Sequence, residues 1–266
     1  MTESQEIEEF LADIQAEERT KRRYRGVLLS YRAWSEGLLP ASVEDAQAYI
    51  WHCQRVKGNA ANTLAVISAS LRRYLSWRHV PAGKLEHLPV QRSDPEYLSL
   101  QEVRALLDAC DMAVMKCLTA LLYDTGARIG EVLGVRVDQV DWDGFITVRR
   151  KGGKEEKVPV SEWGLSYLRE WIGVRAGDTH LKVFGDWSYQ DVYPEFRRTA
   201  RKAGIKNFHP HMLRHSRAVH LRQEDPPVDW GIIGYLLGHK NPTMTMSIYG
   251  RLTPEDLRKE VPAPRI

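Results

Sequence analysis

The stretch HVPAGKLEHLPVQRSDPEY, residues 79–97, divides the chain. Three prolines and a glycine interrupt any helical or strand period there, because proline lacks the amide hydrogen that both ladders need and fixes its own φ. Apolar residues recur at regular spacing on either side, so the stretch reads as a linker between two domains. With 266 residues, 43% of them hydrophobic, the chain is long enough to fill a core in each. The expected division is a first domain over residues 1–80, a linker over 81–92 and a second domain over 93–266.

The first domain reads as helix throughout. In KRRYRGVLLSYRAW, Tyr24, Val27, Leu28, Tyr31 and Trp34 follow the spacing of a buried stripe, which leaves Lys21, Arg25 and Arg32 on another face. Ser42 and Asp45 open SVEDAQAYIWHCQRV with the spacing of a helix start. In NTLAVISASLRRYLSW, Leu64, Ile67, Leu71, Tyr74 and Leu75 share one side while Arg72, Arg73 and Arg78 fall away from it. Counting the acidic first segment, a bundle of four helices with cations outside is expected. The formal net charge of +3 does not by itself require a nucleic-acid partner. Its placement is more telling. No Lys or Arg occurs in the first eighteen residues, and then Arg19, Lys21, Arg22, Arg23 and Arg25 crowd into RTKRRYR. Such a run is either a solvated helix face or a phosphate-binding one.

In the second domain, Ser99 and Glu102 form a capping-box pair, and MAVMKCLTALLYDTG is apolar enough for a central helix closed by Gly126. The period then switches. GFITVRRKGGKEEKVPV alternates about Gly152 and Gly153, which predicts an antiparallel hairpin inside a mostly helical domain. SEWGLSYLREWI, YQDVYPEFRRTARKAG, HMLRHSRAVHLRQ and DWGIIGYLLG read as further helices, with Tyr235 of the last in the core. Cys110 and Cys117 sit in apolar helical patterns and read as core thiols. No stretch approaches the roughly 20 apolar residues of a membrane helix. The acidic start is unlike a signal peptide, so a cytoplasmic location and no membrane partner are expected.

HPHMLRHS, residues 209–216, places three histidines beside an arginine with no cysteine or carboxylate among them. Zinc and nucleotide motifs are absent: there is no H-E-x-x-H, no C-x-x-C, and KGGKEE lacks the P-loop spacing. What remains suits one charged group: Arg128, Lys151, His211, Arg214, His239 and Tyr249. Guanidiniums present planar donors to the oxygens of a phosphodiester under attack. A phenol is mostly protonated at neutral pH, and it attacks only with a proton acceptor or strong cationic surroundings nearby. Histidine supplies the first and arginine the second, and a lysine suits protonation of the departing oxygen.

LLYDTGARIGEVLGV, RRKGGKEEKVPV, HPHMLRHSRAVHL and YLLGHKNPTMTMSIYG, in that order, resemble the tyrosine recombinase, or phage integrase, family. The resemblance covers residues 93–252 and, more loosely, the helical first domain. It implies a mainly α fold: an N-terminal four-helix core-binding domain of SAM-like type, and an α-helical catalytic domain with a small three-stranded antiparallel sheet. It also implies Arg128 and Arg214 as the phosphate-binding arginines, Lys151 as the hairpin lysine, His211 and His239 as the histidines and Tyr249 as the nucleophile. Glu131 matches an acid that orients its neighbours, and His215 a supporting residue; His209 falls outside the motif, in a loop.

Lys154, across the Gly-Gly turn, competes with Lys151, while Arg150 and Lys157 read as contacts to backbone phosphate. Lys21, Arg22, Arg23, Arg25, Arg72 and Arg73 are the expected DNA-facing cations of the first domain. No cofactor or metal is implied. The implied partner is duplex DNA carrying specific sites, bound by a homotetramer, with TPEDLRKEV as a segment docking one subunit on the next. The alternatives are a type IB topoisomerase, a DNA-binding regulator with an inert site, and a helical scaffold unrelated to DNA. One departure stands out: Tyr249 follows His239 by ten positions, one more than is usual in the family.

Overall fold

The computed structural model describes residues 3–83, 85, 96–150, 152–177 and 179–238. The chain divides into two compact units, residues 1–93 and 94–266, each with its own core. Most of the expected linker, along with Lys151, His239, Tyr249 and TPEDLRKEV, lies outside the described residues.

The first unit consists of α1 (Glu3–Asp13), α2 (Glu18–Trp34), α3 (Val43–Arg55) and α4 (Ala61–Trp77). Leu64, Ile67, Leu71, Tyr74 and Leu75 are all buried on α4, which packs against α2 and α3. Aromatic rings fill the centre edge to face, Phe10 against Tyr74 at 5.4 Å and Tyr31 against Tyr49 at 5.1 Å, the arrangement that ring quadrupoles favour. Ser42 caps α3 reciprocally: its Oγ accepts from Asp45 N at 3.1 Å, and Asp45 Oδ2 accepts from Ser42 N at 3.0 Å. Such a cap contributes about 1 kcal/mol. Arg22, Arg23 and Arg73 are exposed, and Lys21, Arg25 and Arg72 are half-buried. Arg25 Nε donates to Glu8 Oε1 on α1 at 2.9 Å, and Arg72 Nη2 donates to the Leu85 carbonyl at 2.9 Å.

The second unit begins with α5 (Leu100–Asp108), α6 (Ala113–Thr125) and the short α7 (Ile129–Leu133). Its sheet follows as β1 (Val140–Asp141), β2 (Phe145–Arg149) and β3 (Glu155–Pro159), antiparallel in that order with Thr147 opposite Lys157. Then come α8 (Glu162–Val174), α9 (Tyr189–Lys202), α10 (His211–Arg222) and α11 (Trp230–Leu236). Helix α6 is the centre, packed against α5, α8, α9 and α10. Between Val114 and Thr125 only Lys116 and Tyr123 escape full burial. The two threonines buried there donate to carbonyls one turn back, Thr119 to Met115 at 2.7 Å and Thr125 to Leu121 at 2.6 Å, so neither hydroxyl is left unpaired. Buried Asp124 accepts from Ser161 N at 2.8 Å, which ties the start of α8 to the end of α6.

The hairpin turns at Gly152 and Gly153, whose φ values of 85° and 80° are costly for any residue with a Cβ. Ile146, Val148 and Val158 form its buried face. Cys53 and Cys117 are buried and Cys110 half-buried, all three as free thiols. Tyr235 departs from expectation: it is 72% exposed, because α11 turns Ile233 and Leu237 inward and the tyrosine points the other way. Among the described residues no helix is long and apolar enough to cross a membrane.

Candidate active site

Gly126 ends α6 in the left-handed region, at φ 61°, where a Cβ would meet Leu237 Cδ2 at 2.7 Å. This close approach needs glycine on both counts. The chain then turns into α7, which opens at Arg128. Glu131 lies one turn into α7 and is 7% exposed. Its Oε2 accepts from Arg128 N at 2.9 Å, and its Oε1 pairs with Arg128 Nη1 at 2.9 Å. The Arg128 side chain remains 42% exposed, so its guanidinium is oriented from below and open above.

His211 and Arg214 share α10 but not its environment. His211 is exposed in the first turn, whereas Arg214 is only 4% exposed. Arg214 Nη1 donates to the Gly126 carbonyl at 2.6 Å and Nη2 to the Leu237 carbonyl at 2.6 Å. Arg214 thereby fastens the ends of α6 and α11 to α10. Both of these acceptors are neutral backbone carbonyls.

The structure corrects the reading of Arg150 as a phosphate contact. Arg150 is 8% exposed and points into the protein. Its Nη1 pairs with Glu131 Oε2 at 2.7 Å, its Nη2 donates to Leu236 O at 2.9 Å, and Nη1 also reaches Leu237 O at 3.5 Å. Nε lies 3.8 Å from Glu156 Oε2, too far for a hydrogen bond, and donates to none of the described residues. Gly238, at φ 63°, leaves room for the guanidinium, since a Cβ there would stand 2.6 Å from Arg150 Cζ. The signal was present in the sequence: strand alternation places Arg150 on the same face as Ile146 and Val148. Charge misled, because arginine in a basic run reads as surface.

Burial by itself would raise the pKa of Glu131 and so oppose its ionisation. The Arg128 amide, the Arg150 charge and the Arg128 guanidinium outweigh it and hold the carboxyl below its ordinary range. His211 is also pushed down, first by loss of hydration and then by the charges of Arg214, His209 and Arg128, with Glu131 opposing. The imidazole is therefore neutral at neutral pH and able to take up a proton. Hydrogen bonds link Arg128 to Arg214 through Glu131, Arg150 and the Leu237 carbonyl, and His211 lies three residues before Arg214 on α10.

His215 is half-buried on α10, and His209 sits in the loop before it, 6.5 Å ring to ring from His211. Lys154 is exposed past the turn. Lys157 is exposed on β3 and pairs with Asp141 at 3.1 Å, so it already has an acidic partner within the sheet. Among the described residues no three His, Cys, Asp or Glu side chains group as metal ligands would.

The Phage integrase family model matches residues 96–256. The tyrosine recombinase XerA of Thermococcus kodakarensis is 31% identical over 269 residues, covering 95% of this chain and 93% of that protein. Among solved structures, XerH bound to palindromic difH substrate in a post-cleavage complex superposes with a TM-score of 0.73 at 18% identity, over 90% of this chain and 78% of that one. A lambda integrase tetramer bound to a Holliday junction gives 0.69 at 18% identity, over 92% and 75%. At such identities the two structures speak for the fold alone, and the family rests on the sequence matches. The chain belongs to the phage integrase family and is a tyrosine-type site-specific recombinase.

Proposed function

We propose that this chain exchanges DNA strands at specific sites through a 3′-phosphotyrosyl intermediate. The Tyr249 oxygen attacks the scissile phosphorus, a P–O(Tyr) bond forms, and the bond to the 5′-oxygen breaks. The phenol proton passes to an imidazole, that of His211 or His239, while Lys151 protonates the departing 5′-oxygen to a hydroxyl. Arg128 and Arg214 bind the non-bridging oxygens, on which charge accumulates. Rejoining reverses these steps. Because the phosphotyrosine retains an ester, neither ATP nor a metal enters the balance.

One observation carries this reading. Arg128, Glu131 and Arg214, spread over 87 positions of sequence, are joined by hydrogen bonds through Arg150 and the Leu237 carbonyl, with His211 three residues before Arg214 on α10. In the first unit, Lys21, Arg22, Arg23, Arg25, Arg72 and Arg73 are the proposed contacts to the duplex backbone. Arg22, Arg23 and Arg73 are the freest of them to act. The XerH structure is bound to palindromic difH substrate, and the lambda integrase structure is a tetramer bound to a Holliday junction. We extend this to a homotetramer on two duplex sites, in the cytoplasm, serving chromosome-dimer resolution or integration and excision of a mobile element.

The test is a nicked suicide duplex carrying candidate sites, with covalent adduct read on a denaturing gel. Adduct from the wild-type protein and none from Tyr249→Phe is expected; adduct that persists in Tyr249→Phe moves the nucleophile elsewhere. Lys151→Ala should lose cleavage of the normal substrate and regain it when sulfur replaces the leaving oxygen. Equal loss on both removes the leaving-group role from Lys151.

A further inference from the structure

Arg150 is buried between the two arginines assigned to the phosphate, and it touches the partner of each. On one side its Nη1 holds Glu131 Oε2 at 2.7 Å, while the other oxygen of that carboxylate holds Arg128 at 2.9 Å. On the other side Arg150 reaches the Leu236 and Leu237 carbonyls at 2.9 and 3.5 Å, and Leu237 O accepts from Arg214 at 2.6 Å. A continuous relay thus runs Arg128, Glu131, Arg150, Leu237, Arg214. It spans α7, the end of β2, the end of α11 and α10.

We infer that Arg150 is a positioning residue that sets the distance and orientation between the Arg128 and Arg214 guanidiniums, and so the fit of the site to a charged phosphate in the cleavage step. The inference rests on the proposed function. Its physical basis is geometric. A guanidinium is a rigid planar fork whose donors leave at fixed angles, so it can pin a carboxylate and two carbonyls at once. An ammonium group has no such fork. Burial strengthens each of these bonds and removes competing water. The glycine at 238 has a matching role, since any Cβ there would displace the Arg150 fork. Arg150 is 8% exposed and acts through Glu131 and Leu237.

The test compares wild type, Arg150→Ala and Arg150→Lys in single-turnover cleavage of two suicide duplexes. One carries the natural scissile phosphate and the other a neutral methylphosphonate there, which lacks one of the charged oxygens that the arginines stabilise. On phosphate, Arg150→Ala should cleave about 100-fold more slowly, the scale of an ångström-sized misplacement, with unchanged DNA affinity. Its defect should shrink on methylphosphonate, as should that of Arg128→Ala. Arg150→Lys, which keeps a charge against Glu131 but not the fork, should show the same substrate-dependent loss at roughly one tenth the size. That variant carries the test if the alanine protein does not fold.

Equal losses on both substrates mean a structural role only, and wild-type rates from Arg150→Lys mean that the fork is not needed; either overturns the inference. A loss of DNA affinity with a shallower salt dependence would make Arg150 a direct phosphate contact and overturn it as well. Absence of any Tyr249-dependent adduct from the wild-type protein overturns the proposed function along with this inference, whereas the other outcomes overturn only this one.

Discussion

Helix α2 and the cluster around Glu131 are rich in the same side chain and use it in opposite ways. On α2, Arg22 and Arg23 stand in water. Their charges are screened and their geometry is loose, which suits contacts that add affinity by releasing counterions from a duplex. In the second unit Arg150 and Arg214 are 8% and 4% exposed, and each donates to acceptors held in place by the backbone. There the guanidinium orders three or four segments of backbone, and geometry, more than affinity, is what it controls. Arg128 lies between the extremes, pinned through one nitrogen and open at 42%. A basic run in a sequence therefore marks neither a surface nor a site until burial sorts its members.

The largest effect is expected at Arg214. Arg214→Ala removes a proposed phosphate ligand and leaves the Gly126 and Leu237 carbonyls short of a donor. Cleavage should fall roughly a thousandfold, read by single-turnover adduct formation; a loss as small as that from an α2 arginine would erase the distinction.

Glu131→Ala comes next. It strands Arg150 without its close carboxylate, and urea unfolding should show a loss of about 3–5 kcal/mol. The pH dependence has a definite sign. Because the folded-state carboxyl titrates below its unfolded value, its contribution is complete above the ordinary carboxylate range and disappears as pH falls through the lowered one. The stability gap between wild type and Glu131→Gln should close on acidification over that window. A gap that stays constant would mean the charge is not what matters.

His211 sharpens the same contrast at the cluster's edge. Its lowered ionisation predicts that cleavage, where His211 is the proton acceptor, holds through neutral pH and falls about tenfold per unit only below the ordinary histidine value. A midpoint at or above that value would mean that the neighbouring cations do not act on it.

On α2, the double substitution Arg22→Ala with Arg23→Ala should leave cleavage of saturated DNA unchanged while reducing the salt slope of binding by about 1 per lost contact, measured by anisotropy. An unchanged slope would remove this face from the interface. The smallest effect belongs to Arg25→Ala, because Arg25 already pairs with Glu8. Glu8→Ala should tighten DNA binding slightly by releasing it.

Much of this architecture is legible in local pattern. The stripe on α4, the boxes at Ser42 and Ser99, the left-handed end of α6 at Gly126 and the hairpin about Gly152 and Gly153 all depend on residues a few positions apart. The motifs at Arg128, Glu131, His211 and Arg214 are legible as well, since each carries an unusual residue in a short recognisable context. Tyr235 and Arg150 were not. Periodicity cannot say which side of a short helix such as α11 faces inward, and Tyr235 is apolar enough to suit either. Arg150 obeyed the strand period, but its charge argued for the surface, and only a carboxylate nineteen positions away makes its burial tolerable.

Local pattern sets the order of helices and hairpin and supplies the side chains suited to a phosphodiester, because propensity, caps and turn chemistry are short-range. The state of each cation, by contrast, is settled by folding. Whether an arginine meets water, a carboxylate or a carbonyl depends on partners brought together from as far apart as Gly126 and Arg214 or Arg150 and Leu236. Desolvation, the quantity that separates those outcomes, does not exist until the chain has folded around them.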